Sequence, residues 1–158
     1  MRRAFADQGD FDRVAPDRFV LASTPFDATV TVADDEGRVA FEVIVRVPML
    51  SAVAADVAPV VEDGWYETFE LRLEDVGGAL RGDHDDADLT VERDGDEAVV
   101  AYRFVDLNAR RGVADARAVV DYVQGTYVQG IIPGYEYDEP VTSLISNARA
   151  AAGDPVDD

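Results

Sequence analysis

Lysine is absent from this sequence, and so is cysteine; there is one histidine and one tryptophan. Without cysteine there is no disulfide, no thiolate nucleophile and no Cys-based metal site. Without lysine there is no Schiff-base residue and no P-loop lysine. A single histidine excludes a zinc site built on a histidine pair, and leaves His84 as the only imidazole available to a serine nucleophile. No stretch approaches the roughly 20 consecutive apolar residues that span a bilayer. Met1 to Asp12 is charged and lacks the apolar region of a signal peptide. The chain is therefore expected to be cytoplasmic, away from any membrane. An enzyme built on this inventory would have to work with Asp, Glu, Tyr, Arg and a metal ion.

What the sequence has in excess is acid. Its 14 basic residues are all Arg and face 33 acidic ones, of which 23 are Asp, for a net charge of −19. A disordered acidic tail would gather that charge in one block. Here it runs the length of the chain between apolar residues, which at 47% are numerous enough for a packed core. A mimic of nucleic acid would need the charge patterned on one face. The composition instead fits a cytosol at molar salt. There the Debye length falls to about 3 Å, so surface carboxylates barely repel one another. Asp exposes little apolar surface, whereas the long stem of Lys would be salted out. Net −19 normally argues against phosphate-backbone binding, an argument that weakens where all such attraction is screened.

The 158 residues suit one domain, expected over 1–152, with 153–158 as a frayed acidic tail. Arg2–Gln8 reads as a short helix closed by Gly9, with Phe11 and Val14 anchoring it to the core. Arg18–Thr24 reads as a strand ended by Pro25. Val30 and Val32 alternate with Thr29 and Thr31, and Val39 to Val47 alternate again around a turn at Asp34–Gly37. Val57 to about Val76 reads as a long helix capped by Asp56, with Val57, Val61, Trp65, Phe69 and Leu73 on one face and Asp63, Glu67, Glu70 and Glu74 on the other. A second hairpin is expected over Leu89–Glu92 and Ala98–Val105. Asn108 caps a third helix through Val113, Ala116, Val120, Val123 and Tyr127, and Pro140 opens a last one. The order α-β-β-β-α-β-β-α-α predicts an α+β fold, an antiparallel sheet of about five strands packed with helices.

Three stretches could carry chemistry. Asp83, Asp85, Asp86 and Asp88, with His84 among them, could gather Ca²⁺ or Mg²⁺. The loop lacks the glycine and closing Glu of a calcium loop, so it reads more simply as a solvated surface, with no bound metal and no cofactor. Trp65, Tyr66 and Glu67 sit one to two turns before Arg72. Helical spacing places Arg72 beside the apolar stripe, where a guanidinium needs a carboxylate, an aromatic face or an anionic ligand. Tyr122 to Tyr135 carries no charge over its whole length and includes Tyr127, Gln129, Pro133 and Tyr135. Such a stretch in an acidic chain is either a core helix end or an uncharged interface or pocket.

Pro25-Phe26-Asp27-Ala28, Val60-Val61-Glu62-Asp63-Gly64-Trp65 and Gly125-Thr126-Tyr127-Val128-Gln129-Gly130-Ile131-Ile132-Pro133-Gly134-Tyr135 resemble a family of uncharacterised haloarchaeal proteins, a domain of unknown function, over nearly the whole chain. That resemblance implies a halophilic archaeal source and a single-domain extent, and transfers no activity, cofactor or catalytic residue. The order of elements is similar to the type III secretion chaperone-like fold, whose members often dimerise.

The sequence thus points to a non-enzymatic binding or adaptor module, chaperone-like and homodimeric, with an unidentified protein partner or small ligand. The alternative is a small carboxylate- or metal-dependent enzyme, or a small-ligand-binding protein, with Glu67, Arg72, Tyr127 and Tyr135 around one pocket. Nucleic-acid binding would need an Arg-lined face, for which Arg110, Arg111 and Arg117 are the candidates, and is not expected.

Overall fold

The computed structural model describes residues 2–82, 84, 86–132 and 135–151. A six-stranded antiparallel sheet forms its centre: β1 (Phe11–Ala15), β2 (Arg18–Leu21), β3 (Asp27–Asp35), β4 (Arg38–Pro48), β5 (Asp88–Asp94) and β6 (Glu97–Asp106), in the order β1-β2-β3-β4-β6-β5. Around it lie α1 (Arg2–Gln8), a single turn α2 (Leu50–Val53), α3 (Pro59–Leu73), α4 (Ala109–Gln129) and α5 (Val141–Ala151), with a 3₁₀ turn at Val76–Ala79. The α+β reading holds.

The valine alternation sets the register. Val30 pairs with Val43 and Val32 with Phe41 across β3 and β4, and Val43 and Val45 pair with Tyr102 and Val100 across β4 and β6. A slip of one residue would turn these side chains to the opposite face. The β3–β4 turn has two residues, Glu36 and Gly37, at φ 53° and 87°, the left-handed pair that matches strand twist in a tight hairpin. Gly95 at φ 63° opens the corresponding β5–β6 turn.

One face of the sheet is packed by helices. Phe5 of α1 stacks on Phe19, ring centroids 3.7 Å apart. Val113, Ala116, Val120, Val123 and Tyr127 of α4 are all buried, as their spacing predicts. Gly112 lets α4 approach the sheet: a Cβ there would lie 2.3 Å from the Phe41 ring. The other face, with Thr29, Thr31, Ile44 and Val99, stays half-exposed and carries Arg103–Glu42 at 2.7 Å and Arg46–Asp94 at 3.2 Å.

The sheet has six strands where about five were expected, because Phe11–Ala15 pairs with β2 as an edge strand; within it Phe11 does anchor α1, its ring edge-on to Phe5 at 5.0 Å, and Val14 does not. Only Phe11 packs against the core; Val14 is 57% exposed, so the strand owes its place to the ladder and not to an apolar pattern. β2 stops at Leu21, short of Thr24. α3 starts at Pro59 with Ala58 in the capping position, not Asp56. A residue before proline is held extended, and Ala58 (φ −68°, ψ 142°) obeys, so the helix cannot reach back to Val57. Asn108 does cap α4, its side-chain oxygen accepting from the Arg111 N–H at 3.0 Å. The expected tail, 153–158, lies outside the described residues.

Candidate functional site

Two places gather polar chemistry. The first is buried. β6 ends on Asp106, α4 turns Asp115 inward two turns from its start, and the loop before β5 folds His84 between them. The side chains of Asp106, Asp115 and His84 are 0%, 1% and 4% exposed. His84 Nδ1 lies 3.2 Å from the Val105 carbonyl; a carbonyl only accepts, so Nδ1 carries the hydrogen. Nε2 faces the carboxylates, 2.8 Å from Asp115 and 3.9 Å from Asp106. Asp115 also accepts from the backbone N–H groups of Arg81 and Gly82 at 2.8 and 2.9 Å. Arg111 clamps both oxygens of Asp106, at 2.8 and 3.0 Å, and the Asn108 N–H adds a third bond. Burial pushes the Asp106 carboxyl up, but the hydrogen bonds from Arg111 and Asn108, with the charges of Arg111 and His84, outweigh it. Asp106 is therefore held below the usual carboxylate range.

Oxygens of the two carboxylates and Nε2 lie within 4.8 Å of one another, a donor set that suits a divalent transition ion. Such an ion would have to break the His84–Asp115 bond and share Asp106 with a bidentate guanidinium. As arranged, the cluster is a closed network that pins the acidic loop to the β6–α4 junction.

The second place is open. α3 and α4 run side by side, joined where the Tyr122 hydroxyl donates to the Arg72 carbonyl at 3.1 Å. The groove between them holds a cavity of about 270 Å³ lined by Gly64, Trp65, Thr68 and Arg72 on α3 and by Gln129, Gly130 and Ile132 at the end of α4. Arg72 and Gln129 also line its continuation, about 340 Å³, past Gly125 and Tyr122 to Asp75. The Trp65 ring packs on Phe69 and Tyr127 below, and the residue is only 5% exposed. Its indole N–H has no acceptor among the described residues, and Arg72 makes no ion pair among them.

Family comparison adds breadth. The model of a family of unknown function, DUF5813, matches residues 6–147. The chain belongs to that family. The matched span takes in both the buried cluster and the groove, so both lie within the DUF5813 domain. No curated protein and no solved structure matches the chain.

Of the residues singled out in the sequence, the groove brings together Trp65, Arg72 and Gln129. Arg72 is exposed, not held against the apolar stripe as its spacing predicted. Tyr127 lies beneath the groove, 1% exposed, its hydroxyl donating to the Pro48 carbonyl at 2.9 Å. Burial, and secondarily Tyr137, push that hydroxyl well above the ordinary tyrosine range. Tyr66 points elsewhere, under the Arg93 guanidinium at 5.5 Å, and Glu67 is exposed. Tyr135 packs edge-on to Tyr137; Pro133 lies outside the described residues. So do Asp83 and Asp85, while Asp86 and Asp88 are exposed and Asp88 pairs loosely with Arg103 at 3.7 Å. Arg110, Arg111 and Arg117 are each engaged by a carboxylate: Asp7, Asp106 and Asp10.

Sequence reasoning tied His84 to its loop neighbours and missed Asp106 and Asp115. No local signal could have joined them, since they lie 22 and 31 positions downstream. A weak one existed: Asp115 interrupts the apolar face of α4, and an acid there needs a buried partner.

Proposed function

We propose that this protein is a non-enzymatic binding module of a high-salt archaeal cytosol, which takes its partner or ligand in the groove between α3 and α4. The observation that carries this reading is the contrast in hydrogen bonding. The buried His84–Asp106–Asp115 cluster spends its polar atoms internally, whereas the groove offers an indole N–H and a guanidinium that nothing described in the chain takes up. A photo-crosslinker at Thr68, in the groove, tests it against one at Thr90 on the sheet, in lysate at native salt. Capture at Thr68 but not Thr90 is expected; equal or no capture would remove the groove reading.

The chaperone-like likeness, read from the order of elements in the sequence, and the dimerisation that goes with it belong to the same proposal. α3 exposes Val60 (78%) and Leu71 (63%), apolar surface that a second copy could cover. Light scattering in molar KCl decides this part, and a monomer at high concentration would end it.

The salt reading rests on composition. Folding draws together an excess of 19 negative charges, which repel in dilute buffer, where the Debye length is about 10 Å. The melting temperature should climb steeply from about 0.1 M to molar KCl as repulsion is screened and burial strengthens. A flat profile by circular dichroism would reject the halophilic reading.

A further inference from the structure

Three glycines face the groove, and backbone geometry requires none of them. Gly64 lies inside α3 and Gly125 inside α4, where glycine costs about 1 kcal/mol relative to alanine. A Cβ at either would meet nothing within 4 Å. Neither has a positive φ, so neither is demanded by backbone geometry. Gly130 caps α4 at φ −84°, a conformation open to any residue. There the missing Cβ does something specific: it would sit 3.3 Å from Trp65 Nε1 and cover the indole N–H. That N–H belongs to a side chain 95% removed from solvent, counting its 5% exposure, and without an acceptor among the described residues. The ring is buried but its N–H is not sealed off, since no buried side-chain nitrogen or oxygen among the described residues lacks a partner; the N–H opens to the groove, where water or a ligand can accept from it.

The chemistry of the acceptor follows from what lines the cavity. In a chain with 33 acidic residues, none of the described ones lines the Trp65 end of the groove; Arg72 is the one charged group there among the described residues. Guanidinium and indole are both pure donors. A planar carboxylate matches the guanidinium fork with two parallel bonds. Bare helix backbone at Gly64, together with Ile132, gives an apolar wall against which a small organic body can lie, and a cavity of about 270 Å³ limits it to a small molecule.

We propose that the α3–α4 groove binds a small organic carboxylate, its oxygens taken by Arg72 and the Trp65 indole N–H and its apolar body lying along the surface that the glycines leave open. This rests on the groove reading above and specifies its ligand. Because Trp65 is the only tryptophan, its fluorescence reports occupancy directly. The full chain in molar KCl is titrated with benzoate, hexanoate, inorganic phosphate and benzyl alcohol. Saturable changes are expected with the two carboxylates and not with phosphate or the neutral alcohol. Arg72→Gln should weaken the carboxylates about tenfold or more, as loss of a charge-assisted bond requires. Gly130→Ala, whose Cβ would crowd Trp65 Nε1, should weaken them too, while the melting temperature should stay unchanged in Arg72→Gln. No saturable response to either carboxylate would overturn the proposal. So would phosphate or benzyl alcohol binding as tightly as benzoate, or an unchanged affinity in Arg72→Gln. Should carboxylates fail while crosslinking at Thr68 succeeds, the groove stands as a binding site and only the ligand class is lost.

Discussion

The buried cluster and the open groove hold similar kinds of side chain and use them in opposite ways. In the cluster, His84, Asp106, Asp115 and Arg111 answer one another, and the backbone of Arg81, Gly82, Val105 and Asn108 completes the set. In the groove, Trp65 and Arg72 sit over a packed aromatic floor with their donors uncommitted among the described residues. Burial explains the difference. A polar atom removed from water must be paired within the chain or cost stability, and the cluster obeys that rule in full. A polar atom at the lip of a groove can wait for a partner from outside.

The largest test of this contrast is Asp115→Ala. It strands two backbone N–H groups and the imidazole, and breaking a buried, charge-paired network costs about 3–5 kcal/mol. Chemical denaturation in molar KCl should show that loss; a loss below about 1 kcal/mol would mean that water readily replaces the carboxylate and the cluster is not closed. Next comes Gly112→Ala. The added methyl would strike the Phe41 ring at 2.3 Å, and overpacking of that kind costs about 1–3 kcal/mol.

Tyr127→Phe is a smaller change under the groove. It leaves the Pro48 carbonyl without its donor, at a cost of about 1 kcal/mol. It also carries a pH signature. Because the folded state holds the Tyr127 proton above the unfolded value near 10, its contribution is complete below that value and is lost as pH rises beyond it. Denaturation series through the alkaline range should fall off less steeply in Tyr127→Phe than in the parent chain. Equal slopes would show that the hydroxyl ionises as freely folded as unfolded.

The smallest effect has the opposite sign. Gly125→Ala, with open space around the new methyl, should raise stability by up to about 1 kcal/mol. Gly112 and Gly125 belong to one helix, so the pair separates a glycine kept for packing from one that packing does not require. If Gly125→Ala destabilises the protein, that distinction fails and the groove loses one of its three arguments.

Much of the fold was legible because it is periodic. Val30, Val32, Val43 and Val45 alternate, and Val113, Ala116, Val120, Val123 and Tyr127 recur at helical spacing; each pattern says which side faces the core. Asn108 announced its helix because a cap is a local bond between neighbours. β1 was not legible, since an edge strand with one core residue has no alternation to read. Nor was the role of the uncharged segment. Val123, Thr126 and Tyr127 went to the core, whereas Gly125 and Gln129 went to the groove wall, and a missing charge does not distinguish the two.

By itself the sequence determined the class of fold, the antiparallel pairing and the acidic surface, all of which follow from local spacing and composition. Only the tertiary structure decided that His84 meets Asp106 and Asp115, far from it in sequence, and that Arg72 stands beside Gln129 instead of against the core. Those outcomes depend on how far α4 lies from α3 and from the sheet. Side chains distant in sequence set that distance together: Gly112 against Phe41, Trp65 against Tyr127, Tyr122 against the Arg72 carbonyl. A periodic pattern tells a residue which way to face; what it then meets is fixed by packing between elements, and that information is spread over the whole chain.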